Sequence, residues 1–416
     1  MGPQRILFLT CHLPYPPFSG GRRREFELIR RISRDHEIHL CAVSKVYSDD
    51  VQHVAGLRPY CAEVDLFPVD ESPAEVPGGL DQIRRHASQP LTRRVAEIVA
   101  AGDADVIHVE GFYMMQHVPS DAPQPILLVE QNVEYLLWKQ RTGVAASRHE
   151  RRKNLANYLT TLDAETQAWR RATICAVLTE EDREAIVSAA PDVELRVVPD
   201  GVDHMCTLDP DAPGGETAPV FSPSAVFAAN FAYQPNVDAA VYLCDKILPL
   251  IRHRVPDLTL WLVGNAPPPE VAALGGRGGV VVTGRVPSVE PYLAAADVVL
   301  CPLRIGGGIK VKVLEALFRG KALVTTEIGA QGLDPSFFGR SMIVENEPRR
   351  FALAAARLLR DPRLRRRIED QAPLAVASLP TWDEAAGELI SCYRELLSRP
   401  SSETARAERA LTRRRA

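Results

Sequence analysis

The stretch from residue 296 to residue 333, ADVVLCPLRIGGGIKVKVLEALFRGKALVTTEIGAQGL, constrains the fold of this chain more than any other. Its run Val298–Cys301 is short, apolar and β-branched, which predicts a parallel strand covered on both faces. Three glycines follow, Gly306, Gly307 and Gly308. They let the backbone approach a ligand closely, and their N–H groups lead into a helix start that favours an anion. The stretch therefore predicts a strand, a ligand-binding loop and a helix of an α/β domain.

The helix predicted after the glycine loop has two different faces. Lys312 and Glu315 lie three residues apart on one face. The other face is apolar at helical spacing and consists of Val313, Leu314, Leu317 and Phe318. Taken alone, the segment is equally compatible with a solvated Lys312–Glu315 ion pair beside a glycine turn that binds nothing. Its place at the carboxyl end of a strand, where open parallel sheets bind ligands, favours a ligand site.

The same segment carries a family resemblance. KVKVLEALFRGKALVTTEIGAQGL resembles the donor-nucleotide segment of the family 4 retaining glycosyltransferases, which have the GT-B fold. The resemblance implies that Glu315 holds the ribose hydroxyls of a nucleotide through two hydrogen bonds. The family's first acid, which contacts the donor sugar, would fall at Gly307 and is absent. Gly308, Lys312 and Glu315 match a branch with a GxxxK-type loop, that of the bacterial exopolysaccharide-associated sugar transferases.

The N-terminal segment RILFLTCHLPYPPFSGGRRREFELIRRIS extends the resemblance. It predicts a strand over residues 6–10, a proline-rich loop and an amphipathic helix with Phe26, Ile29 and Ile32 facing inward. It resembles the family's first loop, which implies that Gly20 and Gly21 approach the diphosphate and the acceptor. Taken alone, a glycine pair is more often a simple helix start.

Two further segments follow in the family's order, so the resemblance covers most of residues 5–398. VVPDGVD, at residues 197–203, resembles the signature that leads from the first domain to the second. The segments VFAANFAYQPNVDAAVYL and PDLTLWLVGNAPP resemble the opening of the second domain, with Gly264 at a strand end. The next loop, at residues 284–291, is implied to contact the nucleobase through backbone atoms of Arg285 and Val286.

The positive charge that a diphosphate requires is placed differently from that of many relatives. These carry an Arg and a Lys in the first loop of the second domain, where this chain has Asn230 and Asn236. Lys312 matches the family's lysine and is the predicted source of the positive charge. Lys310 is expected only to add to the positive electrostatic field around it, and Arg304 is the alternative source of charge.

The resemblance implies a GT-B chain of the α/β class, in which two Rossmann-like parallel-sheet domains face each other across a cleft. A length of 416 residues predicts two or three domains. We assign residues 1–207 to an acceptor-side domain and 223–380 to a nucleotide-sugar domain, with a Pro/Gly-rich linker at 208–222. A helix at 381–398 is expected to return to the first domain, and the basic tail at 399–416 is expected to be disordered.

The resemblance implies a reaction that transfers a sugar from a nucleoside-diphosphate sugar to an acceptor hydroxyl with retention of configuration, as a hexosyltransferase does. The predicted catalytic residues are Lys312, Glu315 and Glu130, the last at a strand end in LLVEQNVEYL. Lys312, the glycine-loop amides and the Gly21 amide would stabilise the departing diphosphate. No protein nucleophile, cofactor or metal ion is expected, because lysine and helix dipoles neutralise the diphosphate and its oxygen takes the acceptor proton.

The acceptor side lacks a histidine that many relatives have, since Gln131 and Asn132 stand in its place. The candidate residues there are His12, His108, Glu110 and Glu134. For the first three, a structural role is favoured over a role at the acceptor. The acceptor is expected to be a saccharide, a lipid-linked molecule or a natural product, within polysaccharide or secondary-metabolite biosynthesis of a bacterium.

Composition bounds the remaining partners. The eight cysteines are scattered without a CxxC pair or a histidine spacing suited to zinc, so no metal site is predicted. A net charge of −4 does not indicate nucleic acid. No apolar run reaches the roughly 18 residues of a transmembrane helix, and no secretory segment opens the chain, so a cytoplasmic location is expected.

Basic residues cluster in the first half of the chain. Each cluster alone predicts a solvated helix face, and together they allow a peripheral contact with the inner face of a membrane. The clusters are Arg22–Arg24 with Arg30–Arg31, Arg84–Arg85, Arg93–Arg94, and Arg148 with Arg151–Lys153.

Two other functions remain open at this point. A nucleotide-sugar 2-epimerase shares the architecture but needs acid–base carboxylates and a histidine near the sugar. A non-catalytic homologue that binds a nucleotide is compatible with Gly307, Asn230 and Asn236. The products separate the three functions: transfer to an acceptor, interconversion of the donor, or neither.

Overall fold

A computed structural model describes residues 2–71, 80–204 and 222–399 of the chain. These residues form two compact units. Unit 1 contains the residues up to Gly201 and those from Thr381 onward, and unit 2 is Val202–Pro380. The predicted linker at 208–222 lies outside the described residues except for Ser222, and the predicted tail at 399–416 does so except for Arg399.

Unit 1 is built on a seven-stranded parallel sheet in the order β3-β2-β1-β4-β5-β6-β7. The strands are β1 Arg5–Thr10, β2 Glu37–Ser44, β3 Glu63–Pro68, β4 Val106–Glu110, β5 Ile126–Glu130, β6 Ile174–Val177 and β7 Leu195–Val197. The direction of winding reverses between β1 and β4, and the crevice outside such a reversal is where open α/β sheets bind ligands.

Helices cover both faces of this sheet. They are α1 Gly20–Ile32, α2 Tyr47–Asp50, α3 Asp81–Arg85, α4 Gln89–Ala101, α5 Glu134–Val144, α6 Arg148–Arg171 and α7 Glu180–Ala189. Alternate residues of β1 enter two separate cores, Leu7 and Leu9 on one face and Ile6 and Phe8 on the other. This alternation explains why the strand reads as a continuous apolar run.

Unit 2 repeats the winding on a six-stranded parallel sheet in the order β10-β9-β8-β11-β12-β13. The strands are β8 Ser224–Ala228, β9 Thr259–Val263, β10 Val280–Gly284, β11 Val298–Cys301, β12 Leu323–Thr325 and β13 Ile343–Val344. The winding reverses between β8 and β11. The predicted fold class, two Rossmann-like parallel-sheet domains, is confirmed.

The helices of unit 2 are α8 Gln234–Tyr242, α9 Leu248–Arg252, α10 Pro269–Ala272, α11 Glu290–Ala295, α12 Val311–Phe318, α13 Pro348–Arg360 and α14 Pro362–Ala377. α12 is the helix predicted after the glycine loop. Its predicted apolar residues Val313, Leu314 and Leu317 are buried in the core, and Phe318 packs at the edge. The face that carries Lys312 and Glu315 is only half-buried.

The last helix, α15 Trp382–Ser398, belongs to unit 1. Thr381 and Glu384 form a capping box at its start, which satisfies two backbone N–H groups that would otherwise lack partners. Trp382, Leu389 and Tyr393 are buried in the same core as Ile6 and Phe8.

None of the helices that the structure describes is both long enough and apolar enough to span a membrane.

Candidate functional site

The glycine loop of unit 2 connects the carboxyl end of β11 to the start of α12. Gly308 has a φ of +59°, in the left-handed region that favours glycine. The Lys310 ammonium donates to the carbonyl oxygens of Gly307, at 3.0 Å, and Gly308. The Lys310 side chain, which was predicted to bind the donor with the glycine loop, therefore folds back onto this loop and stabilises its conformation.

Lys312 is held by a short chain of amides. Its Nζ donates to Asn236 Oδ1 at 2.6 Å, and Asn236 Nδ2 donates to the Asn230 carbonyl at 2.7 Å. Together these bonds fix which end of the Asn236 amide faces the ammonium. Asn230 Oδ1 accepts from the backbone of Ala232 at 3.0 Å, so both asparagines shape the loop after β8. The sequence distance between Lys312 and Asn236 hides this contact from local pattern analysis.

The Lys312 ammonium is a poorly compensated charge. Its hydrogen-bond partner among the described residues is a neutral amide, and burial lowers the pKa of Lys312 below the ordinary lysine value. Removing a cation from water is unfavourable; the nearby Glu315 carboxylate offsets part of that cost, and an anionic ligand would offset more of it. The position between the ends of β8 and β11 is therefore suited to a phosphate group.

Arg304, the third predicted source of positive charge, is already engaged. It donates to both carboxylate oxygens of Asp238, at 3.1 and 2.6 Å, and lies 4.0 Å from the ring centroid of Tyr242. A bidentate pair of this kind is among the stronger hydrogen-bonded contacts. Arg304 is thus fixed on α8, and Lys312 is the better placed of the two for an anion.

Glu315 lies one helical turn into α12, on the same face as Lys312. Arg319, the next residue along this face, pairs with Glu290 through its side chain and donates to the backbone carbonyl of Glu315 at 3.3 Å. The Glu315 carboxyl is half-buried at the edge of the glycine loop. Its predicted contact with a ribose stays a prediction.

Two other predicted donor positions are turns at neighbouring strand ends. Gly264 follows β9 with a φ of +149°, and a Cβ there would lie 1.8 Å from the Ala229 carbonyl oxygen. Gly284, with a φ of +68°, ends β10, and no heavy atom lies within 4 Å of a Cβ built there. The following Arg285 is exposed and Val286 is half-buried, so the loop predicted to contact a nucleobase is accessible.

In unit 1, a polar cluster stands at the carboxyl ends of β1, β4 and β5. The Glu25 carboxylate, fully buried, lies at its centre. Thr10 Oγ1 donates to one Glu25 oxygen at 2.6 Å, and His12 Nε2 lies 3.1 Å from the other. The His12 contact has ion-pair distance without hydrogen-bond alignment. Gln131 Nε2 bridges Glu25, at 2.9 Å, and Glu110, at 3.0 Å.

The acceptor-side candidates differ in their access to solvent. His108 is fully buried, with one ring nitrogen 2.9 Å from Glu110 and the other 2.6 Å from the Tyr393 hydroxyl of α15. Glu110 is buried as well. The His12 side chain, in contrast, keeps 23% exposure, and Glu134 is half-buried at the start of α5. His12 and Glu134 can therefore meet a ligand directly, whereas His108 and Glu110 lie behind them.

The glycine pair lies against this cluster. Gly20 and Gly21 open α1, and Gly20 is exposed. A Cβ at Gly21 would lie 2.8 Å from Gln131 Oε1 and 3.4 Å from His12 Cε1. A larger residue at Gly21 would press on both side chains, which accounts for glycine at this point.

Glu130 is embedded in unit 1. Its carboxylate accepts from Trp169 Nε1 at 3.0 Å and from the Phe112 backbone at 3.3 Å, and burial raises its pKa to about 8. The two oxygens of Glu130 thus connect the end of β5 to α6, through Trp169, and to the turn after β4, through Phe112. The catalytic role predicted for Glu130 stays a prediction, and these contacts favour a structural one.

Sequence analysis missed Glu25, although the sequence carries a signal for it. Glu25 precedes Leu28 and Ile29 by three and four residues, so it stands on the inward stripe of α1. A charged residue on an apolar helix stripe indicates a buried, paired group. Its partners are contributed by β1 and by the loop after β5, which only the sheet order brings together.

The basic clusters are divided between interior and surface. Arg22 pairs with Asp50 at 2.9 Å, and Arg24 is buried against Asp200 and the Val198 carbonyl. These two side chains are therefore not available to a membrane surface. The cluster at the start of α6 is exposed: Arg148, Arg151, Arg152 and Lys153.

One group of described side chains has the types and spacing of metal ligands, which sequence spacing did not indicate. The ligand atoms of His39, Cys41 and Asp65 lie within 4.8 Å of one another. However, Arg94 Nε donates to Asp65 Oδ2 at 2.7 Å, so a guanidinium already neutralises the carboxylate. This contact disfavours a cation there.

Two doubly wound parallel-sheet units define the GT-B class of fold, and solved structures of this class resemble the whole chain. A sucrose-phosphate synthase from Thermosynechococcus elongatus has a TM-score of 0.64 and 15% identity, with 95% of this chain and 99% of that chain covered. HepE of Anabaena, in complex with UDP and glucose, has a TM-score of 0.60 and 13% identity, with 94% and 100% covered. At these identities, the likeness shows the fold.

The sequence match is more specific and more local. Residues 222–361, about a third of the chain, match the family described as Glycosyl transferases group 1. An uncharacterized 44.6 kDa protein in the cps region of Klebsiella pneumoniae is 24% identical over 139 residues, which cover 31% of this chain and 35% of that relative. The chain thus aligns with only about a third of this curated relative. The family match and the fold together support a GT-B glycosyltransferase.

Proposed function

We propose that this protein is a retaining hexosyltransferase of the family 4 type, which transfers a sugar from a nucleoside-diphosphate sugar to an acceptor hydroxyl. The observation that carries the proposal is the desolvated Lys312 ammonium, held on a neutral amide beside the glycine loop, where the winding of the sheet reverses between β8 and β11. The complexes of HepE with UDP-glucose and of TarM with UDP and α-GlcNAc-glycerol support a nucleotide-sugar donor and a saccharide acceptor.

In this proposal the donor occupies unit 2. Lys312 and the amides of residues 306–308 receive the diphosphate, Glu315 accepts hydrogen bonds from the ribose, and the loop with Arg285 and Val286 borders the base. As the anomeric bond breaks, negative charge grows on the departing phosphate, and a preorganised ammonium in a low-dielectric site stabilises it strongly. A phosphate oxygen takes the acceptor proton on the same face, so that configuration is retained without a protein nucleophile or a metal ion.

The acceptor is proposed to meet unit 1 at His12, Glu134 and the helix start at Gly20 and Gly21, which lie together at the strand ends. The relative in a cps region supports a polysaccharide context. We further propose a cytoplasmic enzyme that touches an anionic membrane peripherally through the exposed basic residues at the start of α6.

The test is a panel of nucleotide sugars, with binding measured by calorimetry and products by mass spectrometry. Glu315→Ala is expected to weaken binding of the preferred donor about 10–100-fold, since it removes two hydrogen bonds to a charged group. Glu270→Ala, which removes an exposed glutamate of α10 in the same unit, is the matched control and is expected to bind as wild type does.

The products decide among the functions that remain open. Transfer, or slow donor hydrolysis with retained configuration, supports the proposal. Interconversion of the donor would identify an epimerase, and tight binding without any product would identify a non-catalytic homologue. A folded protein that binds no donor and no nucleotide would contradict the proposal.

Donor binding is also expected to weaken at alkaline pH. Burial lowers the pKa of Lys312, so its ammonium loses a proton at a lower pH than an ordinary lysine does. The attraction for the diphosphate should therefore be complete below that pKa and decline as pH rises through it. Calorimetric titration of the nucleotide between about pH 7 and pH 10 measures this decline. Lys312→Arg, which stays charged, should give a flatter profile, and identical profiles would exclude Lys312 as the titrating group.

A further inference from the structure

Cys11 stands at the end of β1 in a chain of three reactive side chains. Its Sγ lies 3.3 Å from His12 Nδ1, and the other ring nitrogen of His12 lies 3.1 Å from Glu25 Oε1. A nucleophile in contact with an imidazole that has a buried carboxylate at ion-pair distance on its other side resembles the general arrangement of an activated nucleophile. Cys11 is half-buried rather than enclosed in the core.

The surroundings of Cys11 favour its ionised form. Burial alone would raise the pKa of Cys11, but His12 and His86 hold it well below the ordinary thiol value. Burial likewise opposes the charge on His12, yet Glu25 and Cys11 raise the pKa of His12 well above its usual range. Tyr113, whose hydroxyl lies 3.5 Å from Sγ, also faces this group. The remaining charged neighbours are Lys45 and Glu134.

The other described cysteines lack this environment. Cys41, Cys61, Cys175, Cys301 and Cys392 are buried. Cys244 is half-buried like Cys11, but burial raises its pKa to about 12. Cys244 is therefore an internal reference, because its exposure class is the same as that of Cys11 but its thiol pKa is shifted in the opposite direction.

We propose that Cys11, with His12 and Glu25, forms a thiolate site that soft alkylating electrophiles and hydrogen peroxide modify covalently. The modification is separate from the proposed transfer reaction, in which Cys11 has no part, although the site shares His12 with the proposed acceptor region. With iodoacetamide, the sulfur forms a C–S bond while the C–I bond breaks and iodide leaves. With peroxide, an S–O bond forms as the O–O bond breaks: one peroxide oxygen oxidises the thiolate sulfur to a sulfenate, and the other oxygen leaves as water with both hydrogens of the peroxide.

The consequence of modification follows from the position of Cys11. An adduct on Sγ occupies the space next to His12, a half-buried member of the unit 1 cluster, and replaces the thiolate charge that His12 contacts. Modification should therefore displace His12 from its place beside Gly21.

The test measures the rate of iodoacetamide labelling at each cysteine of the full chain by peptide mass spectrometry. At about pH 6, Cys11 is expected to react roughly tenfold or more faster than Cys244 and than a free cysteine, because it is already a thiolate. The wild-type rate should change little up to about pH 8, where an ordinary thiol begins to ionise. A Cys11 rate that follows the ordinary thiol profile would overturn the proposal without any variant.

Two variants separate the contributions to this site. His12→Gln is expected to return Cys11 to the ordinary thiol profile, and Glu25→Gln to move it part of the way, with circular dichroism confirming that each variant is folded. Peroxide followed by dimedone should label Cys11 in the wild type, and the labelled peptide should be absent in Cys11→Ser. A folded His12→Gln protein with unchanged labelling, or wild type without a dimedone adduct, would contradict the corresponding part of the proposal. These readouts do not depend on a known sugar donor.

Discussion

Replacing Lys312 by methionine is expected to lower kcat/KM for sugar transfer by about 10²–10³-fold, the usual loss when one preorganised donor is removed from a developing oxyanion. The ammonium is fixed by Asn236, and its charge is desolvated before any ligand arrives. It therefore needs little reorganisation when the leaving phosphate gains charge. The measurement is steady-state transfer with the donor identified by the panel, together with the thermal midpoint of the free protein.

The control for this prediction is Lys312→Arg, which keeps the charge but changes the length and shape of the donor. The Lys312→Arg protein should retain more transfer activity than the Lys312→Met protein does. The Lys312→Met substitution should not unfold the protein, because replacing a half-buried, poorly compensated charge with an apolar side chain leaves the stability of the fold unchanged or increases it. Full activity in a folded Lys312→Met protein would remove Lys312 from the mechanism and with it the main support for the proposed function.

Gly264→Ala is expected to destabilise the protein by about 3 kcal/mol or more, among the larger effects of a single substitution. The new methyl group would lie 1.8 Å from the Ala229 carbonyl oxygen, at a residue whose φ is +149°. The obstacle is backbone rather than a side chain that could rotate away. Relief would require the ends of β8 and β9 to separate, at the edge where Lys312 is held. Denaturant unfolding, monitored by circular dichroism, measures the loss.

The matched control is Gly276→Ala, at an exposed glycine of the same unit. Its φ of +78° is unfavourable for alanine, but no heavy atom lies within 4 Å of the new Cβ. Its cost should be only the backbone strain, about 1–2 kcal/mol. Equal stabilities of the two variants would show that the strand ends absorb the methyl group at Gly264 without a packing penalty.

The parts of the fold that were predictable are those with local periodicity. The apolar run of β11, the glycine loop and the stripe of Val313, Leu314 and Leu317 each depend on residues within one element. The predicted strands and helix therefore appear where the pattern places them. The order of strands in each sheet has no local signal, and the family resemblance, rather than the periodicity, supplied the two-domain architecture.

The candidate site was predictable to a smaller extent, because its contacts join residues far apart in the chain. Lys312 and Glu315 were identified from one helix, but the pairing of Arg304 with Asp238, which disfavours Arg304 as an alternative source of charge, was not visible. Glu25 was missed because its significance lies in three partners from different elements. Local patterns identify the groups that carry charge, whereas tertiary pairing decides which of them are neutralised.

The α15 helix has a consequence for the order in which the protein is made. Unit 2 is continuous in sequence, whereas the core of unit 1 is closed by Trp382, Leu389 and Tyr393, which a ribosome adds only after unit 2 is complete. Domains generally fold as units while the chain emerges. The part synthesised first must therefore wait with its Ile6 and Phe8 face only partly covered, by α1, until the last helix leaves the exit tunnel. During that interval the nascent chain exposes apolar surface that the finished protein buries.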